Sequence, residues 1–450
     1  MNKYTTYISR YLSRTLTSDT KRNMDRAKVL FGHLGTSNNV GTIESYSSAA
    51  STEADDDILV CSALRTPIGK AGRGSLKDTF LDDMLGAVYK AVLDETKLDP
   101  GHIGDMCVGN VMLQGSGASL GRVAQFYVGI PEEVPIMAVN RQCASGLQAV
   151  MSVAGSIKTG VCEIGLAAGA EKLTGSSFGA PRAERMGDVN PKIFTNNKAQ
   201  DTLLPMGITS ENVAERYGIS RELQDQMAVE SHAKAHRAQQ YGWFDAEIVP
   251  ITTVVKDKDG KEKKITMTKD DGVRPNTTLA GLAKLKPVFK KGGSTTAGNA
   301  SQVSDGAAAV LLATRSAARR QNLPVLGVLR SYAVVGVPPD VMGIGPAFAI
   351  PHALNKAGLT VEDVDIFEIN EAFASQATYC IHKLGIPREK LNPKGGAIAF
   401  GHPLGMTGAR MVATLLHELK RRGKRSYGVV SMCMGTGMGA AAVFEYPGPI

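Results

Sequence analysis

The chain has 450 residues, a net charge of +8, and a composition of 43% hydrophobic and 21% charged residues. This length allows two or more ordinary domains, and no apolar run of 18 residues predicts a transmembrane helix. The net charge is modest, and the sequence contains no nucleic-acid-binding motif. Six cysteines in a chain of this length are too few for a disulfide scaffold. None of them has C-x-x-C spacing, so the sequence gives no sign of structural zinc.

Residues 1–54 are rich in Ser, Thr and Asn, which predicts a disordered targeting leader. The segment RAKVLFGHL, residues 26–34, resembles the N-terminal peroxisomal import signal, although Ala27 stands where Leu, Val or Ile is usual. This resemblance implies the peroxisome and its import receptor as a partner. A mitochondrial transit peptide is the alternative, because residues 1–24 hold basic residues and a single acid, Asp19.

Beyond the leader, short apolar strands alternate with helices, as in parallel sheets covered by helices. The segment IGDMCVGNVML predicts a strand that ends at Asn110, and NRQCASGLQAV then places Cys143 where a strand gives way to a helix. A helix N-terminus lowers the pKa of a thiol, which suits a nucleophile. The alternative is a small buried hydrophobe, the interpretation that we give to four cysteines in apolar patterns. These are Cys61, Cys107, Cys162 and Cys380.

Residues 173–304 have a different character, because they are polar and rich in proline, with one clear helical pattern in RELQDQMAVESHAKAHRAQQ. They end in TAGNASQVS, residues 296–304, and the residues that follow, DGAAAV, belong to another apolar strand. The change of composition on either side predicts a separate inserted segment.

The remainder of the chain carries three further polar groups at predicted strand or helix ends. His402 lies among glycines at a helix entry, where it could be the base for a thiolate or simply a hydrogen-bonded loop residue. Cys433 opens the glycine-rich turn MGTGMG and fits a second acid/base. The N–H groups of Gly435 and Cys143 could hold an oxyanion, and the Asn370 amide could orient a water or carbonyl group.

An internal repeat connects these segments. Residues 143–160 align without gaps on 405–422, and the strand GAAAV occurs at both 306–310 and 439–443. The repeat predicts two similar α/β halves, of which the first carries an extra segment. It also brings the Cys143 and His402 loops together, if the halves pack about a pseudo-twofold axis.

We therefore expect four regions. They are a leader at 1–54, a first half at 55–172 plus 305–323, an inserted loop domain at 173–304, and a second half at 324–450.

The segments NRQCASGLQAV, NEAFA, GHPLGMTGAR and CMGTGMGAA resemble the signature segments of the thiolases. The resemblance covers essentially the whole chain from Asp57 to Pro447 and is greatest to the peroxisomal 3-ketoacyl-CoA enzymes. It implies a five-layered α/β/α/β/α core, a homodimer, and an inserted loop domain over the coenzyme A (CoA) site.

The resemblance also implies a role for each polar group. Cys143 is the nucleophile that becomes acylated, His402 activates it, and Cys433 handles the proton of the CoA thiol or of the acetyl carbon. Asn370 and His402 line one oxyanion hole, and the N–H groups of Cys143 and Gly435 form the other.

Ser301 matches a family position that contacts the pantetheine arm of CoA, and Gln302 follows it where many relatives carry Gly.

The implied reaction cleaves 3-ketoacyl-CoA with CoA, as in fatty-acid β-oxidation, and needs no metal or permanently bound cofactor. The alternatives are a biosynthetic acetoacetyl-CoA thiolase and a non-catalytic acyl-CoA or lipid carrier. In an acyl-carrier-protein condensing enzyme, the group in the place of Cys433 is usually another His.

Overall fold

A computed structural model describes residues 53–180 and 189–449 of the chain. The leader up to residue 52, with the import-signal resemblance at 26–34, lies outside the described residues. The strands in that part are β1 (Ile58–Arg65), β2 (Gly69–Lys70), β3 (Asp105–Gly109), β4 (Ile136–Val139), β5 (Ile164–Lys172), β6 (Ile251–Lys256), β7 (Glu262–Met267), β8 (Ser304–Thr314), β9 (Gly327–Gly336), β10 (Ile366–Ile369), β11 (Ser426–Met434) and β12 (Met438–Tyr446).

The helices alternate with these strands and cover them. They are α1 (Leu81–Thr96), α2 (Ala118–Tyr127), α3 (Ser145–Lys158), α4 (Asn197–Asp201), α5 (Met206–Tyr217), α6 (Arg221–Gln240), α7 (Leu279–Ala283), α8 (Arg315–Arg320), α9 (Gly345–Ala357), α10 (Ala374–Leu384), α11 (Ala397–Phe400) and α12 (Leu404–Arg422). Short 3-10 turns connect several of them.

The two halves use the same strand order. In the first half the order is β1-β8-β5-β3-β4, and in the second it is β9-β12-β11-β10, with β1 hydrogen-bonded to β9 so that the two sheets are continuous. An isolated parallel bridge between Phe367 and Leu391 stands at the edge where the first half has β4. The duplication predicted from the GAAAV repeat is therefore present in the topology.

The sheets are mixed, whereas the alternation of strands and helices predicted parallel ones. Between the strands named above for the described residues, only β3 with β4 and β5, and β10 with β11, pair in parallel. β12 pairs antiparallel with β11, because a turn of only three residues joins them and so short a connection cannot make a crossover.

The two GAAAV strands, β8 and β12, are buried on both faces. Ala307, Ala309 and Leu311 of β8 pack in an outer core with α1, while Ala308, Val310 and Leu312 pack in the central core. In β12, Ala441 and Val443 pack in the opposite outer core with α9 and α10, and their neighbours face the centre. Successive residues of a strand face opposite sides of the sheet. Because both sides of these strands are covered by a core, the apolar residues run without interruption.

The central core contains α3 and α12, which lie between the two sheets. The layer order is therefore outer helices, sheet, central helices, sheet and outer helices, which is the five-layered arrangement that the resemblance implied. The helices touch closely: a Cβ added at Gly408 would lie 2.2 Å from the backbone N of Leu147. This contact sets the entries of the two helices, and thus Cys143 and His402, close to one another.

Candidate active site

Cys143 lies at a sharp turn between β4 and α3. The residue before it, Gln142, has a φ of 51°, a left-handed conformation that costs free energy in a residue other than glycine. Its N–H donates to Asn140 Oδ1 at 3.0 Å, and its carbonyl accepts from the Ser145 hydroxyl at 2.6 Å. These bonds hold the strained turn, which leaves the Cys143 thiol partly exposed at the helix entry.

His402 is buried, and its tautomer follows from its hydrogen bonds. The Thr407 hydroxyl donates its single hydrogen to Pro403 O at 3.0 Å. Thr407 Oγ1 must therefore accept from His402 Nδ1, 2.6 Å away, and Nε2 is the nitrogen without a proton. Burial, followed by the positive charge of Arg410, lowers the pKa of His402 to about 3. With Nε2 unprotonated, its lone pair accepts from Asn370 Nδ2, and once released from this long bond it can accept a proton.

Asn370 follows β10 directly and faces His402. Its Nδ2 lies 3.4 Å from His402 Nε2, and its backbone N–H donates to Ser431 O on the neighbouring β11. Within the described residues, no group is hydrogen-bonded to the buried Asn370 Oδ1. Buried polar groups are nearly always paired, so this oxygen has capacity to bind a water or a substrate group.

Cys433 lies in β11, in register with Gly439 of β12, and is fully buried. Its pKa is raised well above the ordinary value, chiefly by burial and next by the Cys143 thiol. The raised pKa holds Cys433 in its protonated form, from which it can donate a proton. The side chains packed around it are Met342, Ala372, Met206 and Phe373.

The turn after Cys433 is built from backbone that favours glycine. Thr436 and Gly437 have φ values of 72° and 91°. The reversal places Gly435 at the end of β11, next in the chain to Met434 and two residues from Cys433. Its N–H is thus at the strand end that carries the second thiol.

Ser301 and Gln302 connect the loops of Asn370 and His402. The Ser301 N–H donates to Ala372 O at 3.0 Å, and the His402 N–H donates to Gln302 O at 2.9 Å. Gln302 Nε2 donates to backbone carbonyls of the insert and of α11, including Gly272 O at 2.9 Å. Gln302 therefore fixes the His402 loop, a role that the sequence comparison with relatives did not anticipate.

Of the residues predicted from sequence, the structure brings Asn370 to His402 and joins Ser301 to the Asn370 loop. It also packs the helix entry after Cys143 against the one after His402, at Gly146 and Gly405. Sequence reasoning missed Thr407, which selects the tautomer of His402. The signal was available, because a hydroxyl five residues after a loop histidine lies in the first turn of the helix that follows.

The four cysteines interpreted as core residues, Cys61, Cys107, Cys162 and Cys380, are all buried. No helix in the described residues is long and apolar enough to cross a membrane. Across the same residues, no group of three or more His, Cys, Asp or Glu side chains could hold a metal ion.

Comparison with known proteins places two family models on the chain. The thiolase N-terminal domain matches residues 58–316, and the thiolase C-terminal domain matches residues 323–446. Curated relatives include the peroxisomal 3-ketoacyl-CoA thiolase B of Rattus norvegicus, 62% identical over 94% of this chain and 100% of the relative. The peroxisomal 3-ketoacyl-CoA thiolase of Homo sapiens is 61% identical, with the same coverage.

Two solved structures give the same fold. The dimeric peroxisomal thiolase of Saccharomyces cerevisiae has a TM-score of 0.79 and 48% identity, and the match covers 87% of this chain and 98% of that chain. The human mitochondrial 3-ketoacyl-CoA thiolase in complex with CoA has a TM-score of 0.77 and 40% identity, with the same coverage.

Proposed function

Because this chain belongs to the thiolase family, we propose that it cleaves 3-ketoacyl-CoA with CoA, giving acetyl-CoA and an acyl-CoA shortened by two carbons. The observation that carries the proposal is the contact of the neutral His402 with Asn370, at a helix entry that packs closely against the helix entry after Cys143: a Cβ at Gly146 would lie 2.5 Å from Gly405 O. The relatives at 61–62% identity are named 3-ketoacyl-CoA thiolases, and the match covers their full length. A carrier without catalytic function would have no use for this combination of groups.

In the first half of the reaction, His402 Nε2 takes the Cys143 proton and the thiolate attacks the C3 carbonyl of the substrate. The C2–C3 bond then breaks, the acyl group stays on Cys143, and the electron pair leaves as the enolate of acetyl-CoA. Cys433 donates its proton to C2 and releases acetyl-CoA. Its raised pKa suits this step, because it keeps the thiol protonated until the carbanion forms.

In the second half, CoA enters and the Cys433 thiolate takes the proton of the CoA thiol. The CoA sulfur attacks the acyl carbon, and the Cys143 thiolate leaves and takes its proton back from His402 Nε2. We assign the negative oxygens to two sets of donors. Asn370 Nδ2, together with His402 Nε2 once it carries the Cys143 proton, forms one, and the N–H groups of Cys143 and Gly435 form the other.

We also propose that residues 173–304 lie over the CoA site, with Ser301 contacting the pantetheine arm. Met206, on α5 of this insert, packs in the same cluster as Cys433, which supports the placement. Basic side chains of the insert, such as Lys284 and Lys286, are then available to CoA phosphates. By analogy with the dimeric yeast structure, the enzyme is a homodimer. The peroxisome is its compartment, because the relatives with the higher identity are named peroxisomal.

The decisive experiment combines turnover with identification of the acylated residue. Purified protein should cleave acetoacetyl-CoA only when CoA is present, and peptide mass spectrometry after incubation with acetyl-CoA should find the acetyl group on Cys143. Cys143→Ser should lose turnover, because an alcohol is a far poorer nucleophile at neutral pH. Cys433→Ala should still be acylated but fail at the carbon–carbon step. Absence of CoA-dependent cleavage, or reproducible acetylation of Cys433 instead, would contradict the proposal.

A further inference from the structure

Glu171 lies at the end of β5 with its carboxylate fully buried, and four N–H groups donate to it. Oε1 accepts from Asn110 Nδ2 at 3.1 Å and from the Met112 N–H at 3.2 Å. Oε2 accepts from the Val111 and Gly405 N–H groups, both at 3.0 Å. Three of these donors belong to the loop after β3, but the fourth belongs to the first turn of α12. This single side chain therefore ties α12, the helix that begins two residues after His402, to the first half.

The position of Glu171 is the duplicate of the position of Cys433. Glu171 is in register with Gly306 of β8, and Cys433 is in register with Gly439 of β12. Each of these glycines begins a GAAAV strand. The two residues thus occupy the same place in the two halves of the molecule.

The neighbours of Glu171 are duplicates of active-site residues as well. Asn110 follows β3 as Asn370 follows β10. In the gap-free alignment of the two central helices, Gly405 corresponds to Cys143. The set around Glu171 is therefore a second copy of the active site, without a thiol.

The copy differs in one chemical respect. In the proposed reaction the Cys143 N–H stabilises a transient oxyanion, whereas its counterpart, the Gly405 N–H, is bonded to a permanent carboxylate. The second copy is thus filled by a side chain of the protein itself, and it has become a fixed connection. Burial raises the pKa of Glu171 to about 7, while the four donors favour the ionised form.

We propose that Glu171 is a positioning residue for the thiolase reaction: through Gly405 it fixes the first turn of α12, and so holds His402 in reach of Cys143. The connection is short, because Gly405 is three residues from His402 and two from Thr407, the partner of His402 Nδ1. The inference rests on the proposed function for its effect on turnover. Its effect on the reactivity of Cys143 can be measured without turnover.

The test is Glu171→Gln, assayed at pH 8 so that the wild-type carboxylate is ionised. An amide cannot accept from all four donors, because its NH₂ group faces one of the two donor pairs. We expect kcat to fall at least tenfold, while KM for acetoacetyl-CoA stays within twofold. The rate at which iodoacetamide alkylates Cys143 should fall as well, since His402 no longer activates the thiol efficiently.

Asp305→Asn is the matched control. Asp305 is also fully buried and accepts from the backbone N–H groups of Leu173 and Thr174, but these bonds do not involve α12. The control should lower the melting temperature and leave kcat and the alkylation rate within twofold of wild type.

The proposal is overturned if Glu171→Gln keeps wild-type kcat and alkylation rate, whatever its melting temperature. If this variant is not recovered folded, Glu171→Asp is the test. It retains the carboxylate but is one methylene shorter, which moves the carboxylate away from the Gly405 N–H. Wild-type rates in Glu171→Asp would then overturn the proposal, and reduced rates would support it. A wild-type protein without thiolase turnover would refute the proposed function, and the alkylation rates would still test the role of Glu171.

Discussion

His402 is the residue whose protonation state governs the proposed chemistry, and its environment favours the neutral form. Nδ1 donates to Thr407, and the charge of Arg410 opposes a second positive charge nearby. A histidine on the surface would be about half protonated near pH 6.5. His402 instead stays neutral at every pH at which the enzyme is expected to work, so the base is available without titration.

This neutrality has a cost at low pH that can be measured. The pKa of His402 is about 3 in the folded chain and about 6.5 in the unfolded chain. Between these values the unfolded chain binds a proton that the folded chain does not, so stability falls as pH falls. Through His402, the wild type should lose about 3 kcal/mol of its free energy of unfolding between pH 7 and pH 4. His402→Asn has no histidine at this position and should not show this part of the loss.

Urea unfolding of both proteins from pH 7 to pH 4 measures the difference. His232, another buried histidine with a pKa lowered to about 4, contributes equally to both proteins and cancels. Parallel stability curves for wild type and His402→Asn would contradict the prediction.

The principal site residues could be predicted because each follows a recognisable strand or opens a helix in the sequence. Cys143 precedes a helix, Asn370 follows a strand and Cys433 lies near the end of one, and the repeat predicted that the Cys143 and His402 loops lie together. Glu171 and Gln302 could not be predicted, because they act on backbone N–H and C=O groups of distant segments. A backbone partner leaves no side-chain pattern in the sequence.

At the scale of elements, the crossing of α3 and α12 depends on glycines at the contact. A Cβ at Gly408 would lie 2.2 Å from Leu147 N, which is backbone and cannot rotate away. Gly408→Ala should therefore separate the helices and lower the free energy of unfolding by about 1–3 kcal/mol. It should also reduce turnover, because the entries of both helices carry the proposed catalytic groups.

Gly155→Ala provides the control on the same central layer. Gly155 lies in α3, but a Cβ there would have no atom within 4 Å. This substitution should be neutral or stabilise by up to about 1 kcal/mol, because alanine is the better helix former. Chemical denaturation of the two variants and the wild type checks both expectations. Equal stability of the two variants would mean that the contact is not tight.

The leader is predicted to carry an import signal. A fluorescent reporter carrying residues 1–54 should form peroxisomal puncta if RAKVLFGHL at 26–34 is read by the import receptor. Replacing the pair that ends the motif, as His33→Asp with Leu34→Arg, should disperse the puncta. Mitochondrial labelling of the unmodified fusion would contradict the prediction and favour the transit-peptide alternative.

The order of elements was largely predictable, since the repeat located equivalent strands in both halves. The direction of β8 and β12 was not predictable, because strand direction depends on the connection between strands rather than on the strand sequence. Only the three-residue turn before β12 makes antiparallel pairing necessary. The continuity of the two sheets through β1 and β9 rests on two residue pairs, and nothing in either strand specifies it.

At the scale of the whole molecule, the insert is attached to both halves by a buried group of charges. Arg65 of β1 bonds to Glu247 at 2.7 Å and to Asp270, both from the insert. Lys394 from the second half bonds to the other oxygen of Glu247 at 2.5 Å. Burial alone would raise the pKa of Glu247, but Lys394 and Arg65 hold it at about 2.

Neutralising one member of this group should therefore be costly. Glu247→Gln leaves two buried cations with a single carboxylate between them, and we expect a loss of about 3–5 kcal/mol. Asp94→Asn is the control, since its pair with Lys90 is exposed on both sides and should be worth less than about 1 kcal/mol. Thermal or urea unfolding measures both. A loss for Glu247→Gln no larger than that of the control would show that the group does not hold the insert.

The pairing of β1 with β8 has a consequence for how the protein is made. Roughly 240 residues separate the two strands along the chain, and a ribosome adding about 5–20 residues per second needs roughly 12–50 s to produce them. During that time the edges of β1 and β5 that β8 will cover have no partner, and uncovered strand edges are where nascent chains associate wrongly. The first half can close only after its insert has left the ribosome. The insert between β5 and β8 thus obliges the earliest strands of the first half to wait, with their edges open to wrong association while the chain is being made.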